Sequence, residues 1–362
     1  MVYPSEAYSL LLCFFVLKTS LYLNMNIKAF LCASLLFIIS CAEHTSRSNQ
    51  FELTEAKGFP RWLKDKHYST NQTSGIAFIG RDENNLKTFL AADDIGKIHH
   101  LKIKDDTILY LSPVNFSKEA EIFLDSFPKT DFEDITYDKS SKAVFVSIEG
   151  NLPDPKKYTC ICQINFENKD PFSDKIVSFR KLNFKPGNLF FKYVDNNMGY
   201  EGLAVDSNYF YLGLEGIKKN NLFADSTLIL IAGKKDLEIK KLINTGNLGI
   251  QSICGLYSPN DKNIIGVDRN KRKIVRIIFN DDLTVKRTFI KEVDIKIPSF
   301  PSFSYVASLE SVSMDDQNCI YLVDDPWKKF FIPSNKILRK IDSTAVENFK
   351  DFIPIIHKFK LE

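Results

Sequence analysis

From about residue 71 onward the chain uses one pattern five times, and nothing else in it restricts the possible folds so strongly. The pattern opens as SGIAFIG at Ser74, FEDITYD at Phe132, YEGLAVD at Tyr200, ICGLYSP at Ile253 and LESVSMD at Leu309. Aligned on Ser74, Glu133, Glu201, Cys254 and Glu310, the openings lie 59, 68, 53 and 56 residues apart. Each is followed by a second β-like run: TFLAADD, AVFVSIEG, YFYLGLEG, NIIGVDR and CIYLVDD. Third and fourth runs follow, as in TLILIAG from Thr227 with IKKLINT from Ile239, and KIVRIIF from Lys273 with the segment around Val285 to Ile295. Four short strands per repeat, joined by Asn, Asp, Gly and Lys turns, predict an all-β propeller of about five four-stranded blades over residues 51–362.

Closing such a ring needs a strand borrowed from the other end of the chain. FELTEA from Phe51 is the natural partner for the final blade, which ends with KILRKID at Asp342 and the apolar run FIPIIHKFKLE. A sixth blade fits only if the connection from Asn183 to Gly199 conceals one. Helical periodicity is almost absent. The 30 Phe and 14 Tyr agree with a strand-rich chain.

The N-terminal part reads differently. Residues 25–41, MNIKAFLCASLLFIISC, combine a start Met, one Lys, a short apolar run and a small residue before Cys41. The run is too short to span a bilayer comfortably and reads as a signal peptide over 25–40. Its end resembles the bacterial lipobox, which implies that Cys41 becomes the lipidated first residue of the mature protein. Residues 41–50 are then a polar tether. Residues 1–24 are read as an extension upstream of the true start; the other reading is an uncleaved membrane hairpin that uses the apolar run Tyr8 to Leu17. The expected location is the cell envelope, with the membrane as a partner through the lipid.

Charge excludes one class of partner. The 48 basic and 45 acidic side chains are spread along the chain and leave +3, without the basic footprint of a nucleic-acid binder. Cys160, Cys162, Cys254 and Cys319 lack metal or redox spacing and read as small buried hydrophobes. The five histidines form no ligand set. Ser74 has no evident base.

Carboxylates carry the remaining signal. In a propeller the start of the innermost strand and the end of the second strand meet at one mouth of the central channel. Glu133, Glu201 and Glu310 open first strands, while Asp94, Glu149, Glu215, Asp268 and Asp324 end second strands. Like charges gathered there raise one another's pKa unless a cation compensates, and hard cations such as Ca²⁺ take oxygen ligands of this kind. Glu133, Glu201 and Glu310 are therefore the candidate metal ligands. The second-strand acids and Arg269 are candidate ligand-binding residues, Arg269 either offsetting the acids or gripping an anion. The competing reading ties the same acids to backbone amides or leaves them in solvated turns.

The recurring E-G/D/S-[ILV]-[AST] opening, followed by a strand ending in Glu-Gly or Asp-Asp, resembles the esterase-like phytase family and the SdiA-regulated group of envelope propellers. The resemblance implies an exported propeller with a metal-capable acidic mouth, credited in some members with phosphoester or ester hydrolysis. It would place Glu133, Glu201 and Glu310 in the site. The chain departs from it at Ser74 and Cys254, which stand where the acid is expected. Two functions stay open: a module binding a small-molecule or protein ligand, or a metal-dependent hydrolase.

Overall fold

The structure is a computed structural model that describes residues 51–361, apart from 106, 220 and 221. Cys41, the signal segment and the tether lie outside the described residues. Five sheets with four antiparallel strands each follow one another along the chain, and in blade 2 the short strand Asn115–Phe116 adds in parallel to Lys175–Lys181. Blade 1 takes its inner strand from Thr73–Arg81, blade 2 from Phe132–Asp138, blade 3 from Tyr200–Val205, blade 4 from Gly255–Asn260 and blade 5 from Leu309–Met314. Ring closure follows the expected route: Leu53–Glu55 pairs antiparallel with Ile355–Leu361, in register Leu53 with Leu361 and Glu55 with Phe359. The ring has five blades; the connection before blade 3 holds only a short helix, Gly187–Phe190, whose Phe190 packs in the core with Phe184 and Tyr200.

Sequence dictates the layering within each blade. The first three strands of blade 3 are almost wholly apolar and buried, because they are covered by neighbouring blades on both faces. The fourth, Ile239–Asn244, alternates apolar with Lys, and the fourth strand of blade 4 reads VKRTFIKE. Charges on an outermost strand protect its unpaired edge. On the face away from the mouth, Asp82, Asp138, Asp206 and Asp315 close the first hairpin of blades 1, 2, 3 and 5. Each accepts one or two backbone N–H groups from two to four residues further on, as Asp residues do in turns.

One side chain ties the inner strands together. Asp134 is fully buried; its Oδ2 accepts the backbone N–H of Leu203 in blade 3 (2.8 Å) and of Leu256 in blade 4 (3.1 Å). Its Oδ1 accepts the Ser311 hydroxyl of blade 5 at 3.0 Å, and Ser311 Oγ in turn accepts the backbone N–H of Ile76 in blade 1. A single carboxylate thus reaches every blade, directly or through one hydroxyl. Small residues make the room for it. The positions equivalent to Asp134 are Gly75, Gly202, Gly255 and Ser311, and a Cβ on Gly75 or Gly255 would come within 2.7 Å of the neighbouring inner strand.

Helices occur where the periodicity did not announce them. Lys118–Leu124 lies between blades 1 and 2, with Ser117 as its N-cap. In blade 5 a long excursion separates the second strand, Cys319–Asp324, from the third, and it contains Asn335–Leu338 and Ser343–Lys350. KILRKID is therefore no strand: Asp342 accepts the Ala345 N–H and starts the second of these helices, which buries Ala345 and Phe349.

Candidate functional site

At the mouth where inner strands begin and second strands end, the blades surround a cavity of about 310 Å³. Its lining includes the expected Asp94, Glu133, Glu201, Glu215, Arg269 and Glu310, and adds Asp131, Asp325, Lys129, Trp327 and Lys328. The three candidate metal ligands thus converge on one mouth. A larger groove of about 420 Å³ beside Phe59, Trp62 and Ile297 has no carboxylate among its lining residues. The chemistry is concentrated at the mouth.

The second-strand acids separate into two sets. Asp94, Glu149, Glu215, Arg269 and Asp325 each follow the last inward position of their strand and lie at or beside the mouth. Asp93, Asp268 and Asp324, one residue earlier, turn into the protein and hold the segment that precedes the inner strand. Asp93 accepts from Thr73 Oγ1 and the Asn71 N–H; Asp268 accepts from the Gln251 and Lys271 N–H groups and Ser252 Oγ; Asp324 accepts from Tyr305 Oη. Asp268 and Asp324, expected at the mouth, are therefore structural acids. Successive residues of a strand point to opposite faces, so a one-residue difference in register decides which is which.

The mouth has two unlike halves. On the side of blades 3 to 5, the Arg269 guanidinium lies between three glutamates. Its Nη1 donates to Glu310 at 2.7 Å, its Nη2 donates to Glu215, and Glu201 lies 3.6 Å away. Cys254 is buried in the same half, with a ligand atom within 4.8 Å of those of Glu201 and Glu310. Arg269 offsets the acids there and is not available to clamp an anion.

The other half belongs to blades 1 and 2. Asp131, Glu133 and Glu149 offer carboxylate oxygens within 4.8 Å of one another, and Glu149 forms a second such group with Glu201 and Glu215. The cation beside them is Lys129, 2.7 Å from Asp131 and 3.8 Å from Asp94, with a half-exposed side chain. Glu149 is 1% exposed and its Oε1 has no hydrogen-bond partner; Asp94 Oδ1 and Asp325 Oδ1 are likewise buried and unpartnered.

These surroundings govern protonation. Burial, then repulsion from Glu149 and Asp131, drives the Glu133 carboxyl well above its usual range. Burial does the same to Glu149, with Asp131 and Glu215 adding to it, and to Asp325, with Glu310 and Asp324 adding to it. Burial pushes Asp94 up to about 7, against the pull of Lys129. A bound cation would lower all of them, because it favours the ionised form.

Sequence reasoning missed Asp131, Asp134, Asp325, Lys129 and Trp327. A signal existed for two of them. Asp134 is the one carboxylate at a repeat position otherwise held by Gly or Ser, and Asp325 occupies the repeat position of Glu149, Glu215 and Arg269.

No protein-family model matches the chain, and no curated protein matches it. Among solved structures it is similar to the PQQ-bound aldose sugar dehydrogenase of Streptomyces coelicolor, with 9% identity, 85% of this chain and 100% of that chain covered, and a TM-score of 0.42. The apo-form soluble aldose sugar dehydrogenase of Escherichia coli gives 10% identity over 74% of this chain and 96% of that one, TM-score 0.42. The WD40 β-propeller domain of Doa1 gives 8% identity over 86% and 98%, TM-score 0.40. At this distance the similarity carries no argument about chemistry, and the fold stands on the chain's own sheet topology.

Proposed function

We propose that the protein is a non-catalytic binding module of the bacterial cell envelope, held to a membrane through lipid on Cys41, whose acidic mouth takes a divalent cation of the Ca²⁺ class between Asp131, Glu133 and Glu149. The observation that carries this reading is Glu149. A carboxylate buried to 1% exposure with an unpartnered oxygen is costly, and two further carboxylates within 4.8 Å raise that cost unless a cation joins them. Three carboxylates supply three to six of the oxygens that Ca²⁺ takes, and water completes the set. This moves the candidate ion from Glu133–Glu201–Glu310 towards blade 2, since Arg269 already sits between Glu201 and Glu310.

The hydrolase reading implied by the phytase resemblance gains nothing from this geometry. Arg269, the clamp expected from the sequence, is held by three glutamates, and Lys129 at the same mouth is paired with Asp131. A phosphate approaching the mouth would also meet carboxylates from several blades.

Calorimetric titration of the purified protein with Ca²⁺ tests the site: saturable heat that Glu149→Gln removes is the expected result, and indistinguishable heats for both proteins would rule it out. Cell fractionation tests the anchor. Cys41→Ala should move the protein from the membrane to the soluble fraction, and an unchanged distribution would contradict lipidation.

A further inference from the structure

The corner of the mouth between blades 1 and 5 has a different character from the cation site just proposed. Asp94 directly follows the second strand of blade 1, Lys87–Asp93, and Asp325 starts the excursion of blade 5. Asp325 is 3% exposed, lines the cavity, and has an Oδ1 with no hydrogen-bond partner; Asp94 Oδ1 is also buried and unpartnered. Both residues line the cavity, and a buried carboxylate oxygen without a partner is stabilised by a hydrogen-bond donor, most strongly by a positively charged one.

A metal ion fits this corner poorly. Among the described residues, the groups of three ligand atoms within 4.8 Å of one another include neither Asp94 nor Asp325. Two carboxylates supply at most four of the six to eight oxygens that Ca²⁺ takes, fewer than Asp131, Glu133 and Glu149 together can offer. The mouth as a whole, at about 310 Å³, has room for an organic molecule beside an ion, since a water molecule's share of liquid volume is about 30 Å³. Its size reaches the lower end of the range for organic ligands.

The rim gives a direct indication of the chemistry that suits it. Trp327, two residues after Asp325, lines the same cavity and carries the Lys328 ammonium over its ring at 3.5 Å from the centroid. An indole face attracts ammonium through its quadrupole. Gln72 and Ser74 line the cavity as well and add polar oxygens.

Resting on the reading of the mouth as a cation site, we propose that the Asp94–Asp325 corner binds a small organic cation bearing a primary ammonium group. The ammonium lies between the two carboxylates, and the apolar body lies against Trp327. The ammonium supplies three N–H donors to oxygens that now lack them, and the pair of acids in turn selects against neutral and anionic ligands. Binding draws both carboxyls into the ionised form, so protons are released as the ligand enters.

The test uses the full chain in EDTA, so that divalent ions do not contribute, with 1,4-diaminobutane as probe and 1,4-butanediol as its neutral counterpart. The diamine should raise the melting temperature by about 2 °C or more, the diol should not, and the rise should vanish in Asp325→Asn and Asp94→Asn yet survive in Glu149→Gln. Calorimetry in two buffers of different ionisation heat should register the released protons. An equal rise from the diol, or a rise undiminished in both Asn variants, would overturn the proposal. So would no rise in the wild type. If Ca²⁺ still stabilises the wild type through Glu149 while the diamine does nothing, the organic-cation site fails alone. If neither ligand acts, both readings fall together. Should Asp325→Asn not fold, Asp94→Asn decides.

Discussion

Arg269 is the residue on which the electrostatics of the mouth turn. It faces Glu201, Glu215 and Glu310 with a side chain only 16% exposed, so removing it leaves three buried acids without their shared cation. Losing one partner of a buried ion pair costs about 3–5 kcal/mol, and protonation of the orphaned acids relieves part of it. Arg269→Gln should therefore lower stability in urea by about 3 kcal/mol near neutral pH and by less near pH 5; an effect within about 0.5 kcal/mol at neutral pH would show that the guanidinium is incidental. Asp94 gives a second expectation. Its folded pKa, about 7, lies above the usual carboxylate value, so between roughly pH 4 and 7 the folded state holds more protons than the unfolded chain. Stability of the metal-free protein should then fall as pH rises through that window, and thermal melts in EDTA should give a higher midpoint near pH 5 than near pH 8. A flat or opposite profile would contradict the assignment. The identity of these residues was only partly legible. Acids at strand ends are visible in the sequence, but whether Asp324 or Asp325 faces the mouth depends on the pleat, which a single residue of register inverts.

Among the elements, the inner strands and the closing strand do different work. Asp134 joins the inner strands by accepting from blades 3 and 4 and from Ser311 of blade 5. Asp134→Ala leaves those donors unpaired at the centre of the ring, each worth about 1–3 kcal/mol, and should abolish the soluble folded protein, whereas Asp134→Asn keeps one accepting oxygen and should retain part of the stability. Soluble yield and urea midpoints of the two variants would separate a central strut from a passive filler, which would tolerate both changes equally. The closing strand fixes the ends: deleting 51–56 removes Phe51 and Leu53 from the core and exposes the edge of Ile355–Leu361. That truncation should lower the melting temperature and broaden the transition. Strand positions could be read from alternating and continuous apolar runs, including the pairing of Phe51 onward with the last blade. The blade 5 excursion could not, because Ser343–Lys350 is short and its helical stripe rests on Ala345 and Phe349.

At the scale of the whole molecule, five blades each deliver one side chain from the inner strand and one from the end of the second strand to the same mouth. Repetition is what concentrates charge there, and variation among the repeats divides it. Arginine in blade 4 offsets part of the charge of one half, while Asp131, Glu133 and Glu149 in the other half have only Lys129 beside them. The convergence of Glu133, Glu201 and Glu310 followed from the repeat alone. The division did not, since it depends on Asp131 in a connecting segment and on which way Arg269 points. The most direct test of the account is thermal melting of the wild type and Glu149→Gln with and without excess Ca²⁺. At about 100 times its dissociation constant, an ion bound only by the folded state adds about 2.7 kcal/mol, so the wild-type midpoint should rise clearly while that of Glu149→Gln stays in place. A wild-type midpoint unmoved by Ca²⁺, or an equal rise in both proteins, would contradict a cation site at Asp131, Glu133 and Glu149.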